Sequence, residues 1–147
     1  YYQKIKTIAE KLGNWSERQE VILSRLSQQQ DSALLTRIQL LENDMKAALQ
    51  TLPKVKYGGN LAIEVAKAAE DTHPRESIRL YLQKAERLIA ARSRGNYAEA
   101  TNYLSHVKNM YATLQETETW KVTIHSIIRN QKPRLPALLD ELNQAGL

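Results

Sequence analysis

The residues of this chain that could carry acid–base or metal chemistry do not come together at the spacings that such chemistry needs. A helical metal site places its ligands one turn apart, and neither His106 nor His125 has a His, Asp or Glu at that distance. His73 lies between two glutamates, but Pro74 begins a new helix beside it. The chain has no cysteine and therefore no thiolate nucleophile. We predict no enzyme activity and no catalytic, cofactor-binding or metal-binding residue.

A second group of residues combines positive charge with aromatic rings. We predict that the partner-binding residues of the chain are Arg87, Arg92, Arg94, Tyr97 and Tyr103. Proteins that bind single-stranded nucleic acid stack bases on aromatic rings set between basic residues. The alternative is that the tyrosines pack in the core, since the chain has no Phe and draws its aromatic volume from seven Tyr and two Trp.

The positive charge of the chain is unevenly distributed. The 147 residues carry a net charge of +5, and residues 75–94 alone hold six Arg or Lys against two Glu. Such a stretch can steer an anionic partner, or it can be an ordinary solvated helix face. No apolar stretch approaches the roughly 20 residues that cross a bilayer. We therefore expect no membrane association, and the lack of cysteine favours a cytoplasmic location.

The elements that would position these residues have apolar side chains at helical spacing. Spacings of three, four or seven residues join Ile5, Ile8 and Ala9, then Trp15 and Ile22, then Leu34, Ile38 and Leu41, then Ile78, Tyr81, Leu82, Ala85 and Ile89, and then Trp120, Ile124 and Ile127. No segment alternates with period two. The sequence therefore predicts an all-α fold of about nine helices and no sheet.

A turn signal recurs between the predicted helices. It reads Gly13-Asn14-Trp15, Asn43-Asp44-Met45, Thr72-His73-Pro74 and Gly95-Asn96-Tyr97. The predicted N-caps are Asn14, which forms a capping box with Glu17, and also Asp44 and Asn96. Pro74 and Pro136 suit the first turn of a helix. The residues predicted to lie just past a helix end are Gly13, Gly95 and Gly146.

The spacing of these turns indicates a degenerate repeat. The break points Gly13, Asn43, Thr72 and Gly95 are 30, 29 and 23 residues apart, and Asn43 and Gly95 are each followed five positions later by Ala. This pattern resembles the tetratricopeptide repeat, in which a small residue lets two helices of a hairpin approach closely. We predict stacked antiparallel hairpins in a right-handed, tetratricopeptide-like array that forms a single domain over residues 1–147.

The second half of the chain carries a further resemblance, which extends over most of the sequence. Its positions are residues 86–100, Tyr103, Leu104, Val107, Met110, Tyr111, Trp120 and residues 135–147, with residues 35–40, Asp44, Ala48 and residues 73–81 before them. In these positions the chain resembles the C-terminal helical region of bacterial SWIM zinc-finger family proteins. That family is named for a Cys-x-Cys and Cys-x-His zinc motif. Because this chain has no cysteine, the resemblance implies that any zinc is bound upstream of Tyr1, in a longer protein of which this chain is the C-terminal fragment.

The expected role is therefore recognition. The resemblance implies a non-catalytic interaction or scaffolding module of a SWIM zinc-finger-like protein with a protein partner. The alternative is a nucleic-acid-binding module that uses the basic helix over residues 75–94.

Overall fold

The fold is helical throughout the part of the chain that can be described. A computed structural model describes residues 2–11, 13–28, 31–55, 59–130 and 135–147. Its helices are α1 (Tyr2–Lys11), α2 (Trp15–Gln28), α3 (Ser32–Leu41), α4 (Met45–Thr51), a 3-10 helix (Leu52–Lys54), α5 (Gly59–Ala69), α6 (Pro74–Ala90), α7 (Arg94–Thr113), α8 (Thr117–Arg129) and α9 (Pro136–Gln144). These ranges contain nine α-helices and no strand. The all-α prediction is confirmed.

The chain divides into two compact units, which we name the N-terminal unit (Tyr1–Ala68) and the C-terminal unit (Ala69–Leu147). The boundary falls at the end of α5. Most helices that follow each other in sequence pack together within each unit, as expected for helical hairpins, whereas α9 packs on α7. The single domain and the right-handed, tetratricopeptide-like stacking stay predictions.

In the N-terminal unit, α1 packs on α2, α2 on α3, and α3 on both α4 and the 3-10 helix. Polar side chains add links between helices that are further apart in sequence. The Lys6 ammonium lies 2.9 and 3.0 Å from the two carboxylate oxygens of Glu42, which also accept a hydrogen bond from the Tyr2 hydroxyl at 3.0 Å. Arg37 and Glu64 form an exposed ion pair at 3.1 Å between α3 and α5. Together these contacts fix α1 and α5 against α3.

The C-terminal unit is built around α7, which packs on α6, α8 and α9. Its core is formed by apolar side chains from all four helices, namely Ile78, Leu80, Tyr81, Ala85, Ile89, Tyr97, Ala100, Leu104, Val107, Trp120, Ile124, Ile127, Leu138 and Leu142.

Ala100 of α7 and Ala48 of α4 are the small residues that follow two of the predicted breaks, and both are fully buried. At these positions a larger side chain would push neighbouring helices apart.

Four helices in the described ranges end in the same backbone arrangement. The backbone N–H of a residue with positive φ donates to the carbonyl of the residue three positions earlier. The N–H of the next residue donates to the carbonyl of the residue five positions before it. The residues with positive φ are Gly13, Asn43, Gln115 and Gly146, with φ of 70°, 58°, 59° and 73°. This is the Schellman motif, which satisfies the last carbonyls of a helix. The prediction that Gly13 and Gly146 lie just past helix ends is confirmed.

The turn between α6 and α7 differs from the prediction. Gly95 lies in the first turn of α7, because Ser93 caps the helix and its Oγ accepts from the Asn96 N–H at 3.2 Å. Arg92, with φ of 52°, takes the left-handed position. Ser is as good an N-cap as Asn, and the cap therefore falls three residues earlier than expected. The predictions that Gly95 follows a helix end and that Asn96 caps α7 are wrong.

Of the other helix starts for which a cap or a first-turn proline is predicted, only that of α2 differs from the prediction. Asp44 caps α4 by accepting from the Ala47 N–H at 3.2 Å, and Pro74 and Pro136 occupy first turns, as predicted. The capping box of Asn14 is wrong. Its Oδ1 has no hydrogen-bond partner among the described residues. Its N–H, which the box needs for Glu17, already donates to the Ala9 carbonyl in the closing turn of α1.

Candidate functional site

The five predicted partner-binding residues lie near each other on α6, α7 and the turn between them, but only some of them face solvent. Arg87, Arg92 and Arg94 are exposed. Arg94 lies 3.7 Å from the Glu141 carboxylate of α9, a distance at which an exposed pair stabilises weakly. The structure therefore gathers three arginines at one end of the α6–α7 hairpin.

The two tyrosines do not interleave with those arginines. Tyr97 is only 5% exposed and belongs to the core of the C-terminal unit, so its ring has no open face for a base. Tyr103 is half-buried, and its ring stacks on that of Tyr81 with centroids 5.9 Å apart. The core-packing alternative describes both rings better than the base-stacking role.

A polar cluster that the sequence did not indicate lies beside this tyrosine stack. The Glu70 carboxylate accepts hydrogen bonds from the Tyr81 hydroxyl at 2.5 Å and from His106 Nε2 at 2.7 Å. The His106 ring also meets Tyr81 edge-on, with centroids 5.0 Å apart. His106 is 36 residues from Glu70 in sequence, which is why one-turn spacing could not find this pair.

The hydrogen bonds of this Glu70–Tyr81–His106 cluster favour a structural role over a catalytic one. Burial, followed by the hydrogen bond and the charge of Glu70, raises the pKa of Tyr81 well above its ordinary value. A tyrosine shifted in this direction stays protonated and donates its hydrogen bond, so it is a poor nucleophile or base. The described residues contain no group of three or more His, Asp or Glu side chains that could hold a metal ion.

A second feature that the sequence did not indicate is an apolar groove in the N-terminal unit. It has a volume of about 480 Å³ and is lined by Ile5 of α1, by Asn14, and by Glu17, Arg18, Val21 and Ile22 of α2. We call it the α1–α2 groove. Its walls place apolar side chains in solvent, since Ile5 is 39% exposed and Val21 is 52% exposed. Ile8, one turn after Ile5 on α1, is 60% exposed.

The sequence places Ile5 and Ile8 on the same apolar stripe as Ala9, but the structure separates them. Ala9 is buried, whereas the two isoleucines extend to the exposed edge of the stripe. When the apolar stripe of a helix is wider than the surface that a neighbouring helix covers, one edge of the stripe is buried and the other edge stays exposed to solvent. Periodicity alone identifies the stripe without saying which edge is covered.

The comparisons with known proteins add no relative. No family model matches the chain, and neither a curated protein nor a solved structure does so. No helix in the described ranges is long and apolar enough to cross a membrane. The SWIM zinc-finger resemblance therefore stays a prediction that rests on the residues named above.

Proposed function

We propose that this chain is a non-catalytic protein-interaction module whose α1–α2 groove docks a segment of another protein. The observation that supports this function is a concave surface lined by the exposed side chains of Ile5 on α1 and Val21 on α2, with the exposed Ile8 one turn after Ile5. Single exposed apolar residues are common on any protein, but a contiguous set around a groove is typical of interaction sites.

Covering the exposed apolar side chains at this groove supplies part of the free energy that a weak complex needs. Burying a whole Ile or Val side chain contributes about 1.5–3 kcal/mol. Ile5, Ile8 and Val21 are each roughly half exposed, so covering all three contributes about 3 kcal/mol before the cost of ordering the partner. Contacts from the partner's flanking residues must supply the rest of the affinity.

A panel of synthetic helical peptides tests this function. Each peptide carries the same leucine stripe at i, i+3, i+4 and i+7, and the flanking residues are Gln, Glu or Lys. Binding of fluorescent peptides to the whole chain is measured by anisotropy. We expect at least one peptide to bind, and we expect Ile8→Asp or Val21→Asp to weaken it about tenfold, the equivalent of about 1.4 kcal/mol.

Val122→Asp is the matched control for these substitutions. Val122 is 71% exposed on α8 in the C-terminal unit, so this variant introduces the same charge away from the groove and should bind as the unmodified chain does. If no peptide of the panel binds, or if the groove variants bind as well as Val122→Asp, the groove is not a docking site.

The wider setting of the module rests on sequence resemblance. A scaffolding role within a cytoplasmic SWIM zinc-finger-like protein places the zinc outside these residues, since the chain has no cysteine.

Nucleic-acid binding by the α6–α7 hairpin is the second candidate, and the exposure of Arg87, Arg92 and Arg94 favours it. Because Tyr97 is buried, this mode depends on phosphate contacts, whose affinity falls steeply with salt. Charge reversal of all three arginines should abolish binding of a fluorescent single-stranded oligonucleotide. Unchanged binding in that variant would remove this candidate.

A further inference from the structure

Ile8 of α1 and Val21 of α2, two exposed apolar residues of the helices that form the α1–α2 groove, each lie between positively charged side chains. On α1, Lys4 precedes Ile8 by four residues and Lys11 follows it by three. Residues at these spacings share one face of a helix, so the two lysines flank the isoleucine. Both are exposed.

The same arrangement recurs on α2 around the other exposed apolar residue. Arg18 precedes Val21 by three residues and Arg25 follows it by four, and both arginines are exposed. Arg18 itself lines the groove. On each of the two helices that form the groove, one exposed apolar residue, Ile8 or Val21, therefore lies between two cations at spacings that share a helix face.

Acidic side chains offset these cations only slightly. Glu17 lines the groove. Glu10 comes two residues after Ile8 and Glu20 one residue before Val21, offsets that turn them by about 200° and 100° away from those residues. Of the four cations only Arg18 lines the groove itself. The spacing of the other three places them beside Ile8 and Val21, so the helix faces that border the groove, which we call its rim, carry an excess of positive charge.

The rim cations also have no partners of their own. The side chains of Lys4, Lys11, Arg18 and Arg25 make no hydrogen bond or ion pair to any residue in the described ranges. Other cations of the N-terminal unit are paired, Lys6 with Glu42 and Arg37 with Glu64. Positive charges that are left unpaired around an apolar surface can meet an anionic partner without first breaking an existing bond.

We propose that the segment bound by the α1–α2 groove is an amphipathic helix with Asp and Glu on both sides of its apolar stripe. This inference rests on the proposed function and deepens it by naming the chemistry of the partner. A helix laid between two helices buries its stripe against Ile5, Ile8 and Val21, which is the helix-in-groove mode of recognition. Its acidic flanks then face the lysines on one wall and the arginines on the other.

The concave shape of the site favours a helix over a flat anionic surface. A convex amphipathic helix can lie on a membrane because its apolar face is outermost, whereas residues such as Ile22 line the inside of a groove between two helices. Anionic lipid vesicles are therefore included in the test as a competing outcome.

The peptide panel described above separates this inference from the function it rests on. We expect the Glu-flanked peptide to bind about tenfold more tightly than the Gln-flanked peptide, because several weak exposed charge pairs add together. The Lys-flanked peptide should bind weakest. The preference should fade between about 0.01 M and 1 M ionic strength, as the Debye length falls from ~30 Å to ~3 Å.

A charge-reversal variant shows whether the rim residues cause the preference. Lys11→Glu with Arg18→Glu should lose the preference for Glu flanks and gain affinity for Lys flanks. Lys46→Glu with Lys67→Glu changes the net charge equally at exposed positions on α4 and α5, and it should leave the preference unchanged. If the reversed chain loses helicity by circular dichroism, Lys11→Gln with Arg18→Gln replaces it and should abolish the preference.

The outcomes differ for the two proposals. Equal binding of the Glu-flanked and Gln-flanked peptides overturns the acidic partner but leaves the groove as a docking site. No binding of any peptide overturns both. Binding of the chain to phosphatidylserine vesicles that is lost in Ile8→Asp, with no preference among the peptides, would assign the groove to a membrane surface and overturn the helix.

Discussion

The hydrogen bond between Tyr81 and Glu70 should make the C-terminal unit sensitive to alkaline pH. Tyr81 is only 2% exposed, and its hydroxyl donates to Glu70 at 2.5 Å. Burial and the neighbouring carboxylate raise the pKa of Tyr81 above its ordinary value of 10.0. The folded unit therefore holds this proton more tightly than the unfolded chain does. Below pH 10.0 the proton is bound in both states and the stabilisation is complete.

As the pH rises above 10.0 and towards the folded-state pKa of Tyr81, unfolding releases a proton and the free energy of unfolding falls. Each tyrosine that behaves in this way contributes a slope of about 1.4 kcal/mol per pH unit. The Tyr81→Phe variant should show a slope that is shallower by about that amount. Tyr103, whose pKa is raised by burial and then by Glu99, should keep the rest of the slope in the same unit.

The substitution should also have a cost at neutral pH. A hydrogen bond to a charged group contributes about 1.5–3 kcal/mol. The Glu70 side chain is 31% exposed and keeps its hydrogen bond to His106, so water can replace the Tyr81 hydroxyl as a donor to Glu70. We therefore expect Tyr81→Phe to lower the free energy of unfolding by about 1.5 kcal/mol, the lower end of this range. With a urea dependence of about 1–1.5 kcal/mol/M, the midpoint should shift by about 1 M.

Tryptophan fluorescence can report this unit alone. Trp120 lies in its core and Trp15 lies in the N-terminal unit, so urea unfolding is followed in a Trp15→Phe background. Tyr103→Phe is the control at neutral pH, because Tyr103 makes no hydrogen bond through its hydroxyl within the described ranges. If Tyr81→Phe were neutral at pH 7 and kept the full alkaline slope, Glu70 would not be the acceptor that holds Tyr81 in place.

Two further predictions concern the ends of the helices. Ser93→Ala should lower the free energy of unfolding by about 1 kcal/mol, because it removes the N-cap of α7. Asn96→Ala lies inside α7 and should change the free energy of unfolding by less than about 0.5 kcal/mol. Equal effects of the two substitutions in urea unfolding would contradict the assignment of the cap to Ser93. Gln115→Gly should raise the melting temperature, because Gln115 has a φ of 59° and a left-handed conformation costs a residue with a Cβ about 1–2 kcal/mol relative to Gly. A lower melting temperature in calorimetry would show that another contact of Gln115 outweighs the relieved strain.

Local sequence rules predicted this fold well where a single chemical group decides the outcome. Asp44 was identified as a cap because its carboxylate can reach the early amides of α4, and it does so. Gly13 and Gly146 were identified as helix ends because glycine adopts positive φ without strain. At Arg92 and Gln115 positive φ is adopted by residues with a Cβ. Residue type does not indicate those positions, because such residues rarely adopt positive φ.

The candidate sites were harder to predict because they depend on contacts between distant residues. One-turn spacing offers His106 no carboxylate partner, because its partner Glu70 lies 36 residues away in sequence. Proximity in sequence groups Tyr97 with Arg94, but Tyr97 is buried in the core of the C-terminal unit, whereas Arg94, the first residue of α7, is exposed. Spacing along the chain does not say which side chains the core covers.

Ile8, at the exposed edge of the apolar stripe on α1, shows how a residue that looks like a core residue in sequence can belong to a binding surface. An apolar stripe is equally apolar whether it faces a core or a partner, so Ile8 looks like Ala9 in sequence and differs from it only in what covers it. The charged residues around the stripe carry the distinguishing information. Cations that serve the fold, such as Lys6, find a carboxylate within the N-terminal unit. Lys4 and Lys11 find none in the described ranges, and they flank the side chain that the fold leaves uncovered. An unburied apolar residue between unpaired like charges therefore indicates a partner of opposite charge.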